Sequence, residues 1–174
     1  TLIAKAGGFV SSNIHSSVSG KVNKIDSALD ASGYRKPAVY IDVEGDEWEE
    51  GIDRSATIVR TCNLSAKEIT DKIAASGIVG LGGATFPTQV KLVPPPGSKA
   101  EVLIINGVEC EPYLTSDYRT MIEFADDVIK GTLIAMKILN VENCYIGIEH
   151  NKPEAIKLLT EKCKGTNIKV VTLE

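Results

Sequence analysis

Two short stretches carry residue types and spacings that could do chemistry: "GLGGATFPTQVKL", from Gly80 to Leu92, and "NGVECEP", from Asn106 to Pro112. In the first, Gly80, Gly82 and Gly83 leave the backbone bare, with the small residues Ala84 and Thr85 after them. A flat or phosphorylated ligand can approach such a backbone closely and accept hydrogen bonds from its N–H groups. Lys91, just behind the loop, supplies a compensating positive charge. The pattern suits a nucleotide or a flavin, and it also suits a tight turn between elements. It is not a Walker loop, because no GK[ST] follows, nor the GxGxxG fingerprint, because the glycines follow a helix-like stretch instead of a strand. In the second stretch, Glu109 and Glu111 can accept hydrogen bonds from ribose or amide donors if they face a site, or stand as solvated loop carboxylates.

The flanking pattern says which elements hold these stretches. "EVLIINGVE" is a continuous apolar run, of the kind found in strands buried on both faces, and the strand ends at Asn106. Asn106 to Pro112 therefore lies at a strand's carboxyl end, where open parallel sheets bind ligands. Next, "TSDYRTMIEFADDVIKGTLIAMKILN" places Tyr118, Met121, Ile122, Ala125, Val128, Ile129, Leu133, Met136 and Leu139 at helical spacing. This predicts one helix of roughly six turns, capped by Thr115 or Ser116. The strand "CYIGIE", a helix from Lys152 to about Cys163 and a last strand "IKVVTLE" complete a β-α-β-α-β alternation. The class is α/β, with a Rossmann-like parallel βαβαβ half-domain. Before the loop, "SAKEITDKIAASG" predicts a short helix with Ser65 and Glu68 as a capping box and Gly77 as its stop. After the loop, "VPPPGSKA" cannot be helical. Residues 1–60 read as short glycine-punctuated strands, which places a small all-β segment at 1–60 and the α/β part at 61–174.

Composition narrows the partners. The chain has 174 residues, 43% of them hydrophobic, enough for a real core. Its net charge of −4, with scattered basic residues, provides no footprint for nucleic acid or an anionic lipid surface. No apolar run approaches the roughly 20 residues that cross a bilayer, so direct membrane insertion is not expected. Cys62, Cys110, Cys144 and Cys163 form no CxxC pair and read as reduced thiols, and His15 and His150 stand apart. A sequence that starts on Thr1 within a strand-like stretch and stops on Glu174 at the end of another reads as a piece of a longer protein.

Taken together, "GLGGATFPTQVKL" and "LIINGVECEPYLTSDYR" resemble the RnfC family, a component of the Rnf membrane electron-transport complex, over nearly the whole chain. Both stretches are also similar to the flavin site of the NADH-binding flavoprotein subunit of respiratory complex I, with its GRGGAGFPTGxKW and NxDExEPG patterns. The resemblance implies an FMN site reduced by NADH, with Gly80, Gly82, Gly83, Ala84, Thr85, Lys91, Asn106, Glu109 and Glu111 as cofactor-binding residues. Two positions depart from the complex I pattern. Leu81 replaces its arginine and is expected to pack instead of bind, and Val108 replaces its aspartate. "VSSNIHSSVSGKV" looks like half of a lipoyl-type barrel-sandwich domain, with Phe9 after Gly7-Gly8 where carriers place a modified lysine, so a docking or structural module is expected.

By the same resemblance, the full protein is an electron-input subunit on the cytoplasmic side of the cell membrane, peripheral to it. It would partner other Rnf subunits and couple NAD and ferredoxin redox to ion translocation. A later stretch of sequence would complete the nucleotide site and hold [4Fe–4S] clusters, so the 174 residues alone are expected to be inactive. Two other readings are a non-catalytic assembly module and a flavoprotein cobalamin-reductase relative with a similar loop. "ECEPYLTSDYR" favours the RnfC family over the latter.

Overall fold

Alternating apolar and polar residues before residue 50 make strands, and the computed structural model, which describes residues 1–55, 59 and 61–174, shows four of them. Strands β1 (Leu2–Ala4) and β2 (Ile14–His15) pair antiparallel. The longer β3 (Gly20–Leu29) and β4 (Arg35–Val43) form a second antiparallel ribbon. Its turn is held by Asp30 Oδ1, which accepts hydrogen bonds from the backbone nitrogens of Ser32 at 2.9 Å and Tyr34 at 3.0 Å, an Asx-type turn. Helices α1 (Ala66–Ala75) and α2 (Thr88–Lys91) flank the glycine loop in sequence. Contacts divide the chain into two units, Thr1–Thr57 with Ile73–Thr88 and Ile58–Lys72 with Gln89–Glu174. The domain boundary expected after residue 60 falls on a position outside the described residues.

In the second unit the alternation β5 (Leu103–Asn106), α3 (Ser116–Glu123), α4 (Ala125–Leu139), β6 (Cys144–Glu149), α5 (Pro153–Lys162) and β7 (Ile168–Leu173) builds a parallel sheet of order β5-β6-β7. Leu103 stands opposite Cys144, and Cys144 opposite Ile168. Side chains alternate across a strand, so Leu103, Ile105, Cys144, Ile146, Ile148 and Ile168 share one face. That face packs against Met121, Ala125, Ile129, Met136, Ala155 and Leu159 of the helices to form the core. Leu159 has no exposed surface, and burial of this kind contributes about 1.5–3 kcal/mol.

Two expectations need correction here. The apolar run ending at Asn106 is not buried on both faces: Ile104 is 68% exposed, and Tyr145 and Val171 on the same side are partly open. The reason is topological, since β5 is an edge strand and the core helices cover the opposite face. The single long helix is two. It breaks at Phe124, whose backbone (φ −122°, ψ 33°) leaves the helical region. Phe124 donates from its nitrogen to Thr120 O and accepts at its carbonyl from Val128 N, so one residue closes α3 and opens α4. Asp126 and Asp127 in the first turn of α4 then meet the positive end of a new helix dipole.

Candidate functional site

The glycine loop is delivered by α1. Ser65 N donates to Glu68 Oε2 at 2.7 Å and Glu68 N to Ser65 Oγ at 3.3 Å, the capping box read in the sequence. At the other end Gly77 adopts φ 68°, its nitrogen donates to Ala74 O, and Ile78 N donates to Ile73 O, a Schellman closure. The Asn13 side chain, between β1 and β2, donates to the carbonyls of Ala74 and Ala75 and anchors the same helix end. Nothing in the sequence singled out Asn13.

Past Gly77 the chain forms a closed neck. Val79 bridges Pro87, Gly80 N donates to Phe86 O at 2.9 Å, and Thr88 N donates to Ile78 O at 3.1 Å. Gly80 thus sits in the neck, and Gly82, Gly83, Ala84 and Thr85 lie on the excursion beyond it. A Cβ added at Gly82 or Gly83 would meet nothing within 4 Å, so the loop presents open backbone. Gly83 has φ 104° and Thr85 φ 50°, a conformation that side-chain-bearing residues avoid. Leu81 is 94% exposed, contrary to the expectation that it packs. A residue at the tip of a neck held at 80 and 86 has no neighbouring element to pack on within its own unit.

Lys91 is the last residue of α2 and is exposed. The other three candidates stand on the turn after β5. Asn106 Oδ1 accepts from Val108 N at 3.0 Å, which folds the turn back on itself. Gly107 is buried and its nitrogen donates to Gly147 O at 2.8 Å. Glu111 is exposed, and its carbonyl accepts from Leu114 N. Tyr113 next to it is fully exposed with φ 65°, where the complex I pattern has glycine.

Glu109 is placed differently from its expected role. Its side chain is 3% exposed, its Oε1 accepts from Asp117 N at 2.8 Å, and its Oε2 accepts from Tyr118 N at 3.2 Å. These are the second and third amides of α3. Neither Thr115 nor Ser116 supplies the expected cap: Thr115 is the N-cap residue but makes no side-chain cap hydrogen bond. Glu109 fills that role from a loop eight residues upstream of Asp117. Lys152 Nζ lies 3.7 Å from Glu109 Oε2 and 5.2 Å from the Tyr118 ring centre. The Tyr118 hydroxyl donates to Glu154 Oε2 at 2.8 Å, and that hydrogen bond, with burial, raises the phenol above its ordinary pKa.

Neither unit encloses a ligand at these residues by itself. A cavity of about 140 Å³ beside Asn106 and Gly107 is below the roughly 300 Å³ of small-molecule pockets. A larger cavity of about 790 Å³ is lined by β-segment residues such as His15, Asp46 and Trp48, and by none of the nine candidates. Among the described residues no group of His, Cys, Asp and Glu is arranged to hold a metal, and no helix is long and apolar enough to cross a membrane.

Comparison with known proteins matches these pieces separately. Residues 73–174 match the Nuo51 FMN-binding domain, and residues 1–46 match the RnfC barrel sandwich hybrid domain. The chain is 50% identical over 173 residues to the RnfC-type component of the proton-translocating ferredoxin:NAD(+) oxidoreductase complex of Clostridium ljungdahlii, covering 99% of this chain and 37% of that protein. It is 42% identical over 160 residues to the corresponding component of the Na(+)-translocating ferredoxin:NAD(+) oxidoreductase complex of Acetobacterium woodii, covering 91% and 35%. It is 44% identical over 162 residues to that of the ion-translocating oxidoreductase complex of Rhodobacter capsulatus, covering 91% and 30%. The chain thus spans about a third of the length of these curated relatives. Because the match over residues 73–174 takes in the glycine loop, the turn after β5 and the whole parallel sheet, the chain belongs to the Nuo51 FMN-binding domain family, with an RnfC barrel-sandwich segment ahead of it.

Proposed function

We propose that this chain is the flavin-holding part of the electron-input subunit of a membrane-associated ferredoxin:NAD oxidoreductase complex that couples electron transfer to ion translocation. The observation that carries the reading is the open backbone at Gly82 and Gly83, on a neck closed by Gly80 and Phe86, inside residues matched by an FMN-binding domain. This is a cradle that a Cβ would fill, and it fits a planar, phosphorylated cofactor. FMN bound there supplies acceptance of a hydride from NADH and onward transfer of electrons. The chain's own residues bind and orient: the Gly80–Thr85 backbone receives the cofactor, Lys91 balances its phosphate charge, and Asn106 and Glu111 border it from the carboxyl end of β5. Clusters that carry electrons onward, of the [4Fe–4S] type, would be held by sequence outside these 174 residues. The protein would sit peripherally on the cytoplasmic side, among other subunits of the complex.

Visible absorbance and released flavin in the purified full-length protein test the proposal. One FMN per polypeptide, bleached anaerobically by NADH, is the expected result. A colourless, correctly folded protein that takes up no added FMN would leave only an assembly role.

A further inference from the structure

We propose that Glu109 is a positioning residue for the cofactor site, a clamp that touches no cofactor and fixes the turn from Asn106 to Glu111 from behind. The inference rests on the flavin reading above and reassigns one of its residues. Three observations converge. The carboxylate is 3% exposed, so it has almost no surface to offer a ligand. Its two oxygens accept from the backbone nitrogens of Asp117 and Tyr118, which stand at the second and third helical positions of α3, where a cap acts. Lys152 faces the same carboxylate at 3.7 Å and is itself the N-cap residue of α5, which has no side-chain cap.

The consequence is mechanical. Lys152 follows β6 and Glu109 follows β5, so the ion pair ties together the two loops at the carboxyl edge of the parallel sheet. Tyr118 locks the pair: its ring lies 5.2 Å from the Lys152 ammonium and its hydroxyl holds Glu154 in the first turn of α5. Within the turn, Asn106 and Gly107 are fixed at the strand end by Asn106 Oδ1 to Val108 N and Gly107 N to Gly147 O. Glu109 fixes the far side, so Glu111 and Cys110 extend from a turn held at both ends. Charge-assisted hydrogen bonds of a carboxylate to helix-end amides are among the stronger kind, and a mostly buried cation beside them leaves the carboxylate little freedom to swing out.

Three variants of the full-length protein test this: Glu109→Gln, Lys152→Met and the two together. Flavin affinity and hydrogen exchange at the Asp117 and Tyr118 amides are measured together. Glu109→Gln is expected to speed exchange at those two amides and to weaken flavin binding roughly tenfold or more. The double variant should bind flavin no worse than the weaker single one, because both residues act through one contact. Weaker flavin binding with unchanged exchange would mean that Glu109 touches the cofactor, and would overturn the proposal. Faster exchange with unchanged flavin affinity would equally overturn it, since the cap would then not position the site. Additive losses in the double variant would separate Lys152 from the clamp. If Glu109→Gln does not fold, Lys152→Met alone decides by the same pair of readouts. A wild-type protein that holds no flavin overturns the proposed function itself, an outcome distinct from any pattern among the variants.

Discussion

The backbone nitrogen of Gly107 donates to the carbonyl of Gly147 across 2.8 Å, extending the β5–β6 ladder one residue beyond Asn106. The contact is possible because neither residue has a side chain in the way. A Cβ on Gly107 would stand 2.8 Å from Gly147 O and 3.3 Å from both Ile148 Cγ1 and Met121 Sδ. Gly107→Ala therefore forces the strand end away from β6, at about 1–3 kcal/mol by the usual scale of overpacking. Chemical denaturation reads the loss. The matched control is Gly131→Ala in α4, where a Cβ meets nothing within 4 Å and helix propensity adds about 0.5–1 kcal/mol of stability. Equal effects of the two substitutions would contradict the packing described.

The glycine loop separates folding from binding. Gly82 lacks the positive φ of Gly83, and its Cβ direction is open, so Gly82→Ala is expected to leave the denaturation midpoint unchanged. Flavin binding should still fall, because the new methyl group enters the space that a bound ring or phosphate occupies. Gly83→Val combines that obstruction with backbone strain at φ 104°, costing about 1–3 kcal/mol. Wild-type flavin occupancy in both variants would reduce the loop to a turn.

Lys91 is assigned to the phosphate. Lys91→Ala should weaken FMN more than riboflavin, by the roughly 1.5–3 kcal/mol of a charged hydrogen bond, or about ten- to a hundredfold. Fluorescence titration of the full-length apoprotein with the two flavins measures this. Equal losses would move Lys91 from the phosphate to the ring.

The cysteines divide by environment. Cys110 is exposed on the turn after β5 and should react with iodoacetamide at about pH 8, near the ordinary thiol pKa, whereas Cys144 and Cys163 are buried and should not. Burial, with a smaller contribution from Cys163, pushes the Cys144 thiol from its ordinary 9.0 up to about 11, and burial raises Cys163 in the same direction. A thiol held neutral in the fold adds stability below pH 9.0 that is lost as pH rises toward about 11, since the unfolded chain ionises first. Urea denaturation from about pH 8 to about pH 11 should show that decline, with a shallower slope in Cys144→Ala. A pH-independent midpoint across this range would rule out the protected thiol.

Local signals were legible in the sequence, and long-range ones were not. Ser65 and Glu68, three residues apart, announced a capping box, and Gly77 its stop, because a helix end is satisfied within its own few residues. The βαβαβ order was equally readable, since apolar runs alternating with helical periodicity leave few ways to pair strands. Which face of β5 is covered could not be read: Ile104 and Ile105 are the same residue type, and only the side on which α3, α4 and α5 pack leaves one open and takes the other into the core. The break at Phe124 was hidden by apolar periodicity that runs unbroken from Tyr118 to Leu139. Glu109 shows the limit most plainly. Its spacing from Asn106 marked it for a cofactor, but its partners are amides eight and nine residues on and a lysine after the next strand, and a carboxylate binds whichever donors the tertiary fold brings to it.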